Sequence, residues 1–267
     1  MYFNDDISAR MIFDEVAIDY ETGRPKYSDE ILTDAFRVMG FENINAVPGI
    51  RILEIGAGSG QLTEALIPVS SVCHCIEPGV RFARRLRDRF GKSPAFHLFE
   101  GYFEAFDSES RFDLVVSACA LQWVPKGIAL TKTRDLLAPG GWLFGIWNLP
   151  RFSADICEHL DALILPEVPE LSIPEFSDEN RKLFESTFGE FRDNYGYANC
   201  LMKIYRYRRS LPVDSFVSLV RSYSGVESGK SESVDKAFAQ LESRLAEKSG
   251  VQIAFEDVFP VAMGQKQ

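Results

Sequence analysis

The chain has 267 residues, 46% of them hydrophobic and 25% charged, a balance that suits a globular α/β protein with a substantial core. A formal charge of −10 argues against a broad nucleic-acid footprint, which calls for a basic face, and no nucleic-acid partner is expected. No apolar run approaches the roughly 18 residues that cross a bilayer, and Met1-Tyr2-Phe3-Asn4-Asp5-Asp6 lacks the basic start and apolar core of a secretory signal, so no membrane partner is expected either.

Residues 1–48 read as a mostly helical N-terminal lid. Phe13, Val16, Ala17 and Tyr20 recur at helical spacing until Thr22-Gly23-Arg24-Pro25 breaks the run. Ser28-Asp29-Glu30 caps a second helix carrying Ile31, Leu32, Ala35, Phe36 and Met39, and Gly40 ends it. From residue 49 strands and helices alternate. Ile52, Leu53 and Ile55 form a buried strand over 51–55, and Gly56, Gly58 and Gly60 turn the chain tightly into a helix over 61–67. A second strand spans 71–76. Its alternation puts Cys73 and Cys75 on one side and His74 on the other, which suits core cysteines and no metal. The five cysteines lack framework spacing, so a reducing compartment, the cytoplasm, is the expected location.

The next helix, 79–90, is expected to bury Val80, Ala83, Leu86 and Phe90 and to leave Arg81, Arg84, Arg85 and Arg89 outside. Strands follow at about 95–100 and at 112–117. A helix near 127–137 then leads through Ala138-Pro139-Gly140-Gly141 into a fifth strand, 142–147. Such alternation implies right-handed crossovers and a doubly wound, mostly parallel α/β sheet, with residues 49–150 as its ligand-binding core.

Beyond residue 150 the pattern changes to a cap with a sixth strand, 151–249. A proline-rich excursion at 165–175 precedes a helix over 178–187 that stops at Gly189. Strand-like segments lie near 191–197 and 202–208. Phe216, Leu219, Val220 and Tyr223 mark one amphipathic helix, and Val234, Phe238, Leu241 and Leu245 another, with Gly250 just past its end. The polar stretch Ser222–Ser233 reads as a loop. Residues 250–267 hold a final strand that completes the core sheet, and Pro260 argues for an edge or a bulge there.

A strand, a glycine turn and a helix N-terminus make a bed of backbone N–H groups that a ligand can approach closely. Gln61 stands where the dinucleotide fingerprint needs its third glycine, which speaks against a nicotinamide dehydrogenase. Glu54-Ile55-Gly56-Ala57-Gly58-Ser59-Gly60, then Glu77-Pro78, Gln122-Trp123-Val124-Pro125 and Pro139-Gly140-Gly141, stand in the order found in class I S-adenosylmethionine-dependent methyltransferases. The chain resembles that family over residues 50–148, and its Gln122–Pro125 segment is similar to the trans-aconitate methyltransferase group.

The resemblance implies a Rossmann-like methyltransferase fold with a seven-stranded sheet, a helical cap and a helical lid. It also implies S-adenosyl-L-methionine as cofactor. Glu54, Gly56, Ala57, Gly58, Gly60 and Gln61 would cradle its methionine half, and Glu77, followed by Pro78, would accept from the ribose diol. Where the family often places an adenine-binding aspartate, this chain has Tyr102 and Phe103, which can stack on the base or meet it through backbone, with Glu104 as a possible substitute acid. Ala118 and Gln122 would pass beside the sulfonium.

Acceptor-side candidates are Tyr20, Arg24 and Tyr27 of the lid, Gln122 and Trp123, and Tyr205, Arg221 and Tyr223 of the cap. Arg24 can fork onto a carboxylate, and Tyr20 and Tyr27 can offer aromatic faces to the sulfonium. Plain helix-end packing is the competing reading for the lid residues, and core packing for Trp123 and Tyr223. No catalytic base is identified, because His97 and His159 have no partner acids at telling spacings. The expected activity is in-line methyl transfer to a small-molecule acceptor, a carboxylic acid being the class that the resemblance suggests. A non-catalytic cofactor-binding protein and a protein or RNA methyltransferase are the alternatives.

Overall fold

The computed structural model describes residues 23–171, 173, 176–223, 231–249 and 252–267. The expected helix around Phe13–Tyr20, with Tyr20 itself, lies outside the described residues, as do Gly250 and most of the loop before the last helix.

Helix α1 (Asp29–Val38) begins at Ser28, whose hydroxyl accepts the Glu30 N–H at 3.2 Å, and two acids in its first turn complement the helix dipole. It buries Ile31, Leu32, Ala35 and Phe36 against one face of the sheet. The alternating core follows as β1 (Ile50–Ile55), α2 (Thr63–Leu66), β2 (Ser70–Ile76), α3 (Val80–Phe90), β3 (Phe96–Phe99), β4 (Phe112–Ala118), α4 (Lys126–Leu136) and β5 (Leu137–Ile146). The remaining elements are β6 (Leu149–Arg151), α5 (Ala154–Leu163), α6 (Asp178–Asp193), β7 (Tyr197–Pro212), α7 (Val213–Arg221), α8 (Glu232–Ser249) and β8 (Gln252–Lys266).

Strands β3, β2, β1, β4 and β5 are parallel neighbours in that order, and β8 joins β5 antiparallel. The short β6 is an eighth strand that the sequence did not announce. It shares one edge of β8 with β5, while β7 runs along the other. Alternate side chains of each inner strand feed two apolar layers. Ile52, Leu114 and Phe144 face α1, whereas Leu53, Val115 and Leu143 face α4 and α6. A third apolar cluster, centred on Phe216, Phe238 and Phe255, holds α5, α7 and α8 onto the first half of β8.

Four local expectations are corrected. Gly189 does not end its helix, because the stripe Phe184, Phe188, Phe191 continues across it and α6 runs to Asp193. An interior glycine costs only about 1 kcal/mol, which that packing offsets. The two strand-like segments near 191–197 and 202–208 are one strand, β7. Their apparent gap is a bulge between Ala198 and Leu201, where Asn199 takes φ 46°. Pro260 is neither at an edge nor at a bulge, since β8 is paired on both sides. Its carbonyl accepts the Trp147 N–H at 3.0 Å, so its missing N–H faces the same neighbour and falls at the break between β5 and β6. Val80 is 67% exposed rather than buried, and the buried face of α3 is formed by Phe82, Ala83 and Leu86.

Tyr197 ties β7 to α4: its hydroxyl donates to the Leu130 carbonyl at 3.0 Å and lies 2.8 Å from Thr133 Oγ1, all buried. Tyr197→Phe is expected to lower stability by about 1 kcal/mol, seen as a lower urea midpoint at unchanged slope. An unchanged midpoint would show that these bonds add nothing to the fold.

Candidate functional site

At the end of β1 the chain turns at Gly56, φ 71°, and a Cβ there would stand 2.3 Å from that of Ala120. Only glycine lets the turn come this close to the segment leaving β4. The Gly56 and Ala57 N–H groups donate to the Ile76 carbonyl at 2.9 and 3.1 Å, which binds the turn to the end of β2. Glu77, buried at that end, accepts the Gly58 N–H on Oε2 and the Gly79 N–H on Oε1, each at 2.8 Å. One carboxylate thus clamps the glycine turn to the start of α3. Gln61 Oε1 accepts from the Ser59 hydroxyl at 2.7 Å, while its buried Nε2 has no hydrogen-bond partner among the described residues.

Glu54 lies beneath this turn, fully buried. Its Oε2 accepts from Thr63 Oγ1 at 2.6 Å and from the Cys75 thiol at 3.5 Å. Burial, with a smaller push from the charge on Glu77, raises its pKa to about 7 despite those two bonds. Cys73 and Cys75 are buried beside it, and His74, on the opposite face, stacks on His97 with ring centroids 5.0 Å apart. On the far side of Glu77, Val80 and Tyr102 are large exposed hydrophobics, 67% and 37% exposed. Pro78 is half-buried between Glu77 and Val80 in sequence, and the Phe103 ring belongs to the core.

β4 ends in Ala118 and Cys119, and Cys119 takes φ 54°. Its N–H donates to Ile146 at 2.8 Å and its carbonyl accepts Gln122 Nε2 at 2.8 Å. Gln122 Oε1 in turn accepts the Trp147 indole N–H at 2.8 Å, so this amide is spent as a bracket between β4 and β5. Trp123 is half-buried next to it. A left-handed non-glycine costs on the order of 1–3 kcal/mol and persists where its surroundings over-determine it, most often at functional sites.

Residues remote in sequence meet over Cys119. The Asn148 N–H donates to its sulfur at 3.1 Å, and the Tyr27 hydroxyl points at it from 4.0 Å. Asn148 Nδ2 donates to Asp257 Oδ1 at 3.0 Å, and Arg209 pairs with the same carboxylate, Nε 2.6 Å from Oδ2. Arg209 also donates to the Gly23 carbonyl at 2.8 Å, and Arg24 donates to the hydroxyl and carbonyl of Ser222 at 3.0 and 3.1 Å. The Arg24 guanidinium lies 4.2 Å over the ring of Tyr223, whose buried hydroxyl has no hydrogen-bond partner among the described residues. Burial pushes the Tyr223 phenol and the Cys119 thiol well into their protonated forms. Burial also works against both charges of the Arg209–Asp257 pair, and their mutual attraction opposes it.

Of the acceptor-side candidates, Arg24, Tyr27 and Tyr223 converge here, with Gln122 and Trp123 one step away. Arg221 does not: it pairs with Asp235 at 3.0 Å and covers Phe238, holding α7 to α8. Tyr205 instead donates to Asp34 of α1 at 2.8 Å. Asn148, Arg209 and Asp257 escaped the sequence reading. The one available signal was an acid set in the apolar run of the final strand.

Comparison with known proteins agrees with this geometry. A protein family described as a methyltransferase domain matches residues 53–143. An uncharacterized methyltransferase of Schizosaccharomyces pombe is 26% identical over 231 residues, 84% of this chain and 83% of that protein. Among solved structures, a putative type II methyltransferase from Anaeromyxobacter dehalogenans superposes with a TM-score of 0.57 at 19% identity, covering 91% of this chain and 97% of that one. The S-adenosylmethionine-dependent methyltransferase of Thiobacillus denitrificans, solved with S-adenosyl-L-homocysteine, superposes with a TM-score of 0.50 at 13% identity, covering 92% and 96%. At such identities the two structures speak for the fold.

The raised pKa of Glu54 gives stability a defined pH dependence. Between the ordinary value of 4.5 and about 7 the folded chain holds a proton that the unfolded chain releases, so stability falls as pH rises through that window. Glu54→Gln removes the penalty and retains an acceptor for Thr63. It should exceed the parent by up to roughly 3 kcal/mol at about pH 8 and converge with it near pH 4. A urea-unfolding difference independent of pH would disprove the assignment.

Proposed function

We propose that this chain is a class I S-adenosylmethionine-dependent methyltransferase and that its acceptor is a small molecule methylated on a carboxylate. The supporting observation is the protonation of the cluster over Cys119. Among the described residues there, Tyr223 and Cys119 keep their protons, and Asp257 is tied by Arg209 and Asn148. None stands ready as a general base. A phenol or an ammonium acceptor would need one, whereas a carboxylate is already a nucleophile at neutral pH.

The cofactor's fit is argued from the crevice. The buried Nε2 of Gln61, beside the glycine turn in sequence, has no hydrogen-bond partner among the described residues and suits an acceptor such as a carboxylate. We assign the backbone of Gly56, Ala57, Gly58 and Gly60, with Gln61, to the amino-acid portion, and Glu77 to the ribose hydroxyls. Val80 and Tyr102, joined by Pro78 and the backbone of Phe103, flank the base. Ala118 and Gln122 line the path to the acceptor, and Glu54 supports the turn from below. When bound, the cofactor supplies a methyl group on a positively charged sulfur, so the leaving group needs no protonation. The protein's part is to hold the acceptor in line and to exclude water, which together are worth about 7–11 kcal/mol in well-oriented reactions. Segment 23–28, pinned to the end of α7 through Arg24, is placed to close the mouth and to present Tyr27 over Cys119. Arg24 also favours an anion in the enclosed space.

Purified protein should gain melting temperature with S-adenosylhomocysteine and not with NAD, since only a ligand of the native state stabilises it. Glu77→Ala should weaken S-adenosylhomocysteine binding tenfold or more in calorimetry, because both the ribose acceptor and the clamp on Gly58 are lost. Binding undiminished in that variant removes Glu77 from the site. A screen of acids, phenols and amines should produce S-adenosylhomocysteine with acids; turnover confined to amines or phenols sinks the carboxylate reading.

A further inference from the structure

Three buried polar atoms in the cluster around Asp257 have no hydrogen-bond partner among the described residues: Arg209 Nε, which still pairs by charge with Asp257, and two of opposite kind, Asn148 Oδ1 and the Tyr223 hydroxyl. Asn148 is 3% exposed, and its amide orientation is set by chemistry: an ionised Asp257 held by Arg209 can only accept, so Nδ2 must face it. That leaves Asn148 Oδ1 as an acceptor with no donor among the described residues. Tyr223 is 1% exposed, and burial keeps its phenol protonated, so its hydroxyl is a donor that lacks an acceptor. The two belong to one cluster: Asn148 bonds Asp257, Asp257 pairs with Arg209, Arg209 donates to the Gly23 carbonyl, and the adjoining Arg24 lies over the Tyr223 ring. Leaving either group unsatisfied in the interior costs about 1–3 kcal/mol, which a native fold retains where something else completes the bond.

Resting on the carboxylate reading above, we infer that the acceptor is a hydroxy acid or an amino acid. Its carboxylate accepts from the Tyr223 hydroxyl, and its O–H or N–H donates to Asn148 Oδ1. Arg24, 4.2 Å over the Tyr223 ring, favours the charge of that carboxylate. One carboxylate oxygen is engaged by Tyr223 and the other is free to take the methyl group. In the transfer a carbon–oxygen bond forms and the carbon–sulfur bond breaks with its electron pair left on sulfur. The anionic carboxylate and cationic sulfonium become a neutral ester and a neutral thioether, and no proton moves. Asn148 and Tyr223 therefore act as specificity determinants. A plain acid leaves Asn148 unpaired, and an amine or alcohol without the acid leaves Tyr223 unpaired, a type of mismatch that buried polar sites reject strongly.

The test is calorimetric titration of acids into protein saturated with S-adenosylhomocysteine. The probes are butyrate, α-hydroxybutyrate and α-aminobutyrate, and phenylpropionate, phenyllactate and phenylalanine. At least one substituted acid should bind tenfold or more tighter than its plain parent. Asn148→Ala should abolish that preference, and Tyr223→Phe should weaken the preferred acid about tenfold while S-adenosylhomocysteine affinity and melting temperature report that the variant is folded. Plain acids binding as well as substituted ones, no acid binding at all, or a preference that survives Asn148→Ala each overturns the inference. Failure of S-adenosylhomocysteine itself to bind would instead strike the assignment of the cofactor crevice.

Discussion

Crowding at Gly56 is the constraint on which the rest of the site depends. Strands β1 and β4 are where the sheet order reverses direction, the place where open α/β sheets bind ligands. For a crevice to open there, the loops leaving the two strands must diverge above while their bases remain in contact. Gly56 meets Ala120 so closely that no side chain fits, and the chain beyond it is then held by Ile76 and Glu77 rather than by its own helix. Helix α2, Thr63–Leu66, is too short to position a ligand alone. The geometry of the turn is therefore set by the ends of neighbouring strands.

Two buried acids beneath and beside the crevice are treated in opposite ways. Glu54 has only neutral donors, Thr63 and Cys75, so burial dominates and its proton is held more tightly than usual. Asp257 faces a guanidinium and an amide, and the ion pair so formed is the hub through which distant elements meet: β8 through Asp257, β7 through Arg209, the end of β5 through Asn148, and the lid through Gly23. Removing one partner of such a pair commonly costs about 3–5 kcal/mol, because a charge is left buried and alone. The lid and the cap are thereby coupled to the same few atoms that border the acceptor space.

The two halves of the site differ in how far they could be read from the sequence. The cradle is built from contiguous residues, Glu54 to Gln61, and from an acid at the tip of the adjacent strand, so spacing alone exposes it. Asn148, Arg209 and Asp257 come from three elements whose meeting depends on the antiparallel register of β7 and β8, in which Tyr207 stands opposite Asp257 and Arg209 two places along. No local pattern encodes that register. Helical periodicity misled at Val80, since the buried face of α3 is formed by Phe82, Ala83 and Leu86. Gly189 and Pro260 misled for a related reason: their local preferences are real but small beside the packing of the Phe184–Phe191 stripe and the ladder break at Trp147.

This separation has a consequence for how specificity is built. The glycine turn is held by its own N–H groups on Ile76 and Glu77, and these bonds ask nothing of the residues beyond β5. The acceptor side draws its side chains from the lid, from β7 and β8, and from the end of α7, all added to the parallel core. Neither Asn148 nor Tyr223 touches the Glu77 clamp on Gly58 and Gly79, so under the proposed reading substitution there would alter acceptor choice alone. Under the proposed reading a fold organised in this way could change acceptors without rebuilding its donor site, because the cluster around Asp257 is set by long-range pairing and the glycine turn by a short run of sequence.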